Sequence, residues 1–319
     1  MVAVLSERKM RTSVTNLLIT NLAFADLLIM LLGIPEIVQF MLNRGWLLPS
    51  LLCKLNRYVL VISLYASVLI LVAVSIERYI AIIEPIKTHI FCSRRRLGLV
   101  LCLVWPTALL AGLPTLLFNR VVASAPGHAV RFCMIRFPMN HDKNFLVFKY
   151  SEFVLFYLLP MCVQIILYVI ITRRLFLGSD KLHRRLTVRT EEGQERERPS
   201  DAIRARQGVV KMLIASVTIY FISYSPQHAM LFYNTFSPQH FHRTWPFLVT
   251  VMIIAYINSA INPILYGIFS QNFRHTFKKL LWRWFPSRRR RDRRRQSTLS
   301  HSGSRLYRLT SVRTAQSEL

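Results

Sequence analysis

Apolar and polar positions are segregated along this chain on the scale of whole helices. Six stretches of mostly apolar residues, roughly 13–41, 52–83, 97–118, 146–176, 207–236 and 245–269, each reach or exceed the 20 or so residues that cross a bilayer as a helix. Residues 1–6 read as the inner end of a further span that is largely missing, so the expected class is an all-α membrane bundle. Residues 270–284 (SQNFRHTFKKLLWRW) alternate apolar and basic positions at helical spacing, which predicts an amphipathic helix lying in the membrane interface. Residues 285–319 are rich in Arg and Ser and are expected to form a disordered tail. The expected organisation is therefore a span remnant (1–6), a bundle with its loops (7–269), an amphipathic helix (270–284) and a tail (285–319).

Between the spans, positive charge falls on alternate loops. Arg8, Lys9 and Arg11, then Arg94–Arg96, then Arg173 and Arg174, and finally Arg274, Lys278 and Lys279 share one side, which the positive-inside rule makes cytoplasmic. Composition sharpens the picture: 53% hydrophobic residues coexist with a formal charge of +27, a combination that a soluble core of 319 residues does not accommodate. Of the five cysteines, Cys53 and Cys133 fall on the extracellular side, where a disulfide can persist. No metal-binding cysteine or histidine spacing and no nucleophile–base pair occurs, so an enzyme is the least expected reading. A transporter or channel would call for internal repeats or charged pore rings, and none is legible.

Ionisable residues inside apolar spans are functional candidates by default. Asp26 lies in the middle of the first complete span, and Ser67, Asn258, Ser259 and Asn262 offer oxygen donors in others. These could hold a small hard cation such as Na⁺, or form a hydrogen-bonded polar core between helices. Glu77-Arg78-Tyr79 closes the second span, where Arg78 can pair with Glu77 and exchange partners, or simply form an interfacial salt bridge. Pro160, Pro226 and Pro263 each break a backbone hydrogen bond within a span.

LAFAD with Asp26, WLLPSLLC ending at Cys53, ERY at 77–79, Trp105, Pro160 with Tyr168, Pro226, NSAINPILY ending at Tyr266, and then Phe273-Arg274 occur in an order and spacing that resemble rhodopsin-like (class A) G-protein-coupled receptors over roughly residues 1–285. The resemblance implies a seven-helix receptor bundle with its first helix largely missing, multi-pass in the plasma membrane. It implies a Cys53–Cys133 disulfide and a sodium pocket at Asp26, Ser67, Asn258 and Asn262, with Na⁺ as an allosteric ion and no other cofactor. It also implies a switch toward a heterotrimeric G protein formed by Glu77, Arg78, Tyr79, Tyr168, Tyr224, Pro226, Pro263 and Tyr266. The sequence departs from the family pattern at Tyr224, where a tryptophan is usual, and at Tyr220, where a phenylalanine is usual. Arg206 replaces the acid that often faces the position of Arg78, which predicts a weak inactive-state latch. With the first helix curtailed, a fragment that folds without signalling is the alternative.

Leu60 stands where amine receptors carry an aspartate, and residues 245–269 contain no lysine for retinal. Residues 119–137 predict a β-hairpin around Pro126-Gly127, which resembles the lid of peptide receptors. Segments 77–92 and 257–274 look most like thyrotropin-releasing-hormone-type neuropeptide receptors. The expected ligand contacts are Gln39, Arg57, Tyr65, Gln227, His228, Tyr233 and Tyr256, and the surplus of arginines near Arg57 points to an acidic or carbonyl-rich peptide. In the tail, the basic run is expected to meet anionic lipid, and Ser297, Thr298, Ser300, Ser302 and Ser304 are candidate phosphorylation sites for arrestin recruitment. A nucleic-acid role for these arginines does not fit a membrane-tethered chain.

Overall fold

In the computed structural model the described residues are Val4, 12–86, 88, 93–123, 130–177, 199–236, 244–269 and 271–284, the backbone alone being described at 176–177, 199–206, 271–272 and 280–284. Among them, six helical spans are long and apolar enough to cross a membrane. They are α1 (Val14–Met41), α2 (Ser50–Ile83), α3 (Arg94–Phe118), a composite span comprising α4 (His141–Phe153) and α5 (Leu159–Thr172), α6 (Pro199–Phe236) and α7 (Trp245–Phe269). Of the span remnant expected at 1–6, only Val4 is described; it is helical and buried.

Apolar side chains cover both faces of these helices, because one face meets lipid and the other meets its neighbours. Leu31, Leu103, Leu110 and Ile222 stay exposed, whereas Leu22, Tyr65, Ile70, Ile171 and Leu213 are almost fully buried. α2 is central: it packs on α1, α3 and α5, while α7 packs on α1 and α6. Inward-facing polar residues are concentrated on these helices, among them Asp26, Ser63, Ser67, Gln164, Ser216 and Asn262.

Between α4 and α5, residues Val154–Leu158 form a π-helical turn, and a second one, Arg173–Leu177, follows α5. Pro160 sits in the first turn of α5, so the Phe156 carbonyl four residues earlier lacks its α-helical N–H donor. The hairpin predicted over 119–137 is present as β1 (Asn119–Ala123) and β2 (Arg131–Ile135), antiparallel with Val121 opposite Cys133; its turn lies outside the described residues. The α1–α2 connection is fastened to this hairpin. Gly45 has φ +66°, a left-handed conformation that suits glycine, and Trp46 N–H donates to the Arg131 carbonyl at 2.6 Å. Trp46, Cys53 and Cys133 form one buried cluster, and Cys53 and Cys133 are bonded with their Cα atoms 5.7 Å apart.

The amphipathic helix α8 (Gln271–Trp284) starts one residue later than predicted. Phe273 and Phe277 lie with ring centroids 6.0 Å apart, while Arg274 and Lys278 are exposed.

Candidate functional site: a cleft, a polar core and an arginine latch

Three cavities open at the hairpin end of the bundle and share walls. The largest, about 470 Å³, lies between α2, α4 and α6 and is lined by Tyr65, Phe156, Tyr224, Gln227 and His228 among others. A second, about 270 Å³, shares Leu64, Tyr224, Gln227 and Met230 with it and adds Arg57 and Tyr256. A third, about 340 Å³, shares Phe40, Arg57, Leu248 and Met252 with the second and reaches the hairpin at Phe132, Cys133 and Met134. Together they form a cleft of the size and mixed polarity that suits an oriented ligand.

Five of the seven expected contacts, Arg57, Tyr65, Gln227, His228 and Tyr256, line this cleft. The other two line none of the three cavities. The Gln39 side chain turns back to accept from Leu47 N–H at 3.4 Å, and the Tyr233 side chain is 46% exposed. Helical spacing alone does not fix which face of the helix they occupy.

In the cleft, Arg57 is held in an ion pair. Its Nη2 pairs with Glu36 on α1, a carboxylate that is itself buried and also accepts from Asn56 Nδ2 at 2.7 Å. Arg57 is therefore already neutralised. Sequence alone did not point to Glu36, because a charge near the end of one span does not announce which neighbour it faces. The Lys149–Glu152 pair on the wall of the largest cavity, at 2.7 Å, was likewise not anticipated, although its i,i+3 spacing on a helix was a readable signal.

An aromatic stack forms part of the wall of the largest cavity. Tyr65 and Phe156 are parallel with centroids 3.8 Å apart, and His228 packs on Tyr157 at 4.3 Å. Tyr220, fully enclosed, donates to the Phe156 carbonyl at 2.9 Å and so replaces the donor that Pro160 lacks. Tyr157 and Ser225 share a hydrogen bond of 2.6 Å. These contacts tie α6 to the composite α4–α5 span at the point where both carry a proline.

One turn deeper is the polar core. Asn262 Nδ2 donates to Asp26 Oδ2 at 2.8 Å, joining α7 to α1. Ser259, Tyr224 and Tyr266 lie within electrostatic reach of the same carboxylate, and Ser67 and Asn258 are buried on α2 and α7. Asp26 Oδ1, Ser67 Oγ, Ser259 Oγ and Asn262 Oδ1 are buried without a hydrogen-bond partner. Pro226 and Pro263 lie inside α6 and α7, as predicted.

At the opposite end, Arg78 clasps Glu77 through Nε and Nη2, each at 2.6 Å. The Thr15 hydroxyl on α1 donates to the Glu77 carboxylate at 3.0 Å and accepts from Arg78 Nη2. Thr15 was not singled out from the sequence; a lone threonine at a span end carries no signal. Tyr168 is hydrogen-bonded to Ser75 on α2 at 2.9 Å, and Tyr79 is half-buried beside the latch. The side chain of Arg206 and residues 285–319, including Ser297, Thr298, Ser300, Ser302 and Ser304, lie outside the described residues.

A bundle of membrane-spanning helices with an outward cleft, a buried acid–amide core and an arginine latch defines a receptor rather than an enzyme. The sequence model of the seven-transmembrane receptors of the rhodopsin family matches residues 1–266, and the chain belongs to that family. It is 32% identical over 289 residues to Neuropeptide receptor 15 of Caenorhabditis elegans, covering 88% of this chain and 84% of that relative. The thyrotropin-releasing hormone receptor of Gallus gallus is 31% identical over 291 residues, covering 87% and 72%. The tachykinin-like peptides receptor 86C of Drosophila melanogaster is 30% identical over 291 residues, covering 87% of this chain and 54% of the relative. The protein is thus a multi-pass membrane receptor.

Proposed function

We propose that this receptor sits in the plasma membrane, binds an extracellular peptide in the cleft at its hairpin end, and signals to a heterotrimeric G protein. The observation that carries this reading is the continuous cleft lined by Arg57, Tyr65, Gln227, His228 and Tyr256, roofed on one side by the disulfide-anchored hairpin. The relatives named for peptides agree with it. Ligand in the cleft bears on Tyr65 and Tyr224, which reach the Tyr220–Phe156 contact and the Asp26 core respectively. A ligand with different affinity for two arrangements of α6 shifts their populations, and outward movement of α6 opens the cytoplasmic end. The latch then releases Arg78 from Glu77 and Thr15 to engage the G protein.

The test is a peptide-library screen on cells expressing the chain, with surface level and a panel of G-protein sensors read together. Saturable activation is expected, and it should fall at least about tenfold in potency on Tyr256→Ala, the loss of roughly one good anchoring contact. A surface-expressed receptor that answers no peptide but passes ligand-gated current would overturn the reading.

The orphaned oxygens of Asp26, Ser67, Ser259 and Asn262 suit a hard monovalent cation, so Na⁺ fits this core. When bound it would supply a positive charge that compensates Asp26 and favours the closed arrangement. Replacing choline chloride by NaCl should raise the melting temperature of the detergent-solubilised protein, and Asp26→Asn should abolish that rise. An equal rise in both forms would exclude this site. In the tail, phosphorylated Ser297, Thr298, Ser300, Ser302 and Ser304 would serve arrestin, and the adjoining arginines anionic lipid, as the composition suggests.

A further inference from the structure

The junction of the two smaller cavities has an unusual hydrogen-bond inventory. Both Glu36 oxygens are taken, Oε1 by Arg57 and Oε2 by Asn56. A guanidinium carries five N–H groups. The contacts of Arg57 use only Nη2, which reaches Glu36 and, at 3.5 Å, the Cys133 carbonyl. Its Nε is buried without a partner. Tyr256, close enough to feel both charges, brings a hydroxyl to the same wall. Around them the second cavity is apolar, with Ile29, Leu60, Val61, Val251 and Met252.

This corner is therefore charge-neutral, with both carboxylate oxygens already engaged and the guanidinium left with spare donors. A carboxylate placed there would share one guanidinium with the Glu36 carboxylate, whose side chain is only 7% exposed, so two like charges would face each other at close range. An uncharged carbonyl meets the spare donors and adds no charge. Resting on the peptide-receptor reading, we propose that the Glu36–Arg57 pair forms a subsite for a neutral amide carbonyl at one end of the ligand, and that Glu36 makes the receptor reject a free carboxylate there. Arg57 is then a donor held in place by its partner, and not a counter-ion awaiting an acid.

Two synthetic peptide libraries of identical sequences, one ending in a carboxamide and the other in a free carboxylate, test this. They are applied to cells expressing wild type, Glu36→Gln and the charge-balanced double variant Glu36→Gln/Arg57→Gln, with surface level measured through an epitope tag. Wild-type hits should be at least about tenfold more potent as amides. That preference should shrink or invert in Glu36→Gln, where the guanidinium has lost its carboxylate, and should vanish in the double variant. Should Glu36→Gln fail to reach the surface, the double variant decides, since it leaves no uncompensated charge. Wild-type hits with no amide preference, or a preference that persists in the double variant, overturn the inference and leave the peptide reading intact. A surface-expressed wild type silent to both libraries removes the peptide reading and this subsite with it.

Discussion

The two ends of α2 solve the same electrostatic problem in different ways. Arg57 and Arg78 lie on one helix, about 30 Å apart at the α-helical rise, close to the thickness of a bilayer's hydrocarbon core. Each is paired with a buried acid, and each reaches α1. At the hairpin end the acid, Glu36, comes from α1 itself, and the disulfide and the Trp46 cluster stand beside it. At the other end the acid is the preceding residue of the same helix, and α1 contributes only the Thr15 hydroxyl. An ion pair between helices ties them together. An ion pair within one helix does not tie that helix to its neighbour, so at this end the Thr15 hydroxyl alone joins the Glu77–Arg78 pair to α1. The hairpin end is built to stay assembled and the opposite end to open.

The largest effect that tests this contrast is Glu36→Ala. It strands Arg57, and breaking a buried pair costs about 3–5 kcal/mol, here toward the low end because the Arg57 side chain is 36% exposed. Surface expression and melting temperature in detergent should both drop. The milder change at the other end, Glu77→Gln, keeps an acceptor for Arg78 and breaks no ion pair between helices, so it should cost less expression than Glu36→Gln and raise ligand-independent signalling; equal losses of expression from Glu36→Gln and Glu77→Gln would erase the distinction.

Tyr220→Phe should be intermediate. It takes the hydroxyl donor away from the Phe156 carbonyl, at a cost of about 1–3 kcal/mol. Pro160→Ala restores an N–H at position 160, so the penalty of Tyr220→Phe should shrink in that background. A penalty of unchanged size would show that the hydroxyl is not standing in for the missing donor. The smallest effect on stability should come from Thr15→Val, about 0.5–1.5 kcal/mol for one hydrogen bond, accompanied by raised basal signalling. If basal signalling stays level, Thr15 is not part of the latch.

Much of this architecture was legible beforehand, because lipid forces long apolar runs and leaves few alternatives for the backbone. The span over 245–269 is observed as Trp245–Phe269, and the one expected over 13–41 as Val14–Met41. Ordered motifs, through their resemblance to the receptor family, also implied the Cys53–Cys133 bond and brought Asp26 and Asn262 into one pocket. What stayed hidden were partnerships that depend on helix rotation. Glu36 and Arg57 are both visible as charges, yet nothing in either span says that they face each other. Thr15 and the Phe156 carbonyl were hidden for another reason: one is an ordinary hydroxyl, and the other is a backbone atom made needy by a proline four residues away. The π-helical turn beside it has no sequence signature that periodicity can detect.

Gly33 on α1 gives the cleft a dial. A β-carbon at this position would overlap the ring edge and hydroxyl of Tyr256, so the bare backbone of α1 is what lets that tyrosine lean across from α7. A single methyl there would behave as a built-in wedge, prising the ring and its hydroxyl away and resizing the chamber behind it. The volume available to a ligand's apolar portion is thus set by one missing atom on a helix that carries no part of the hairpin.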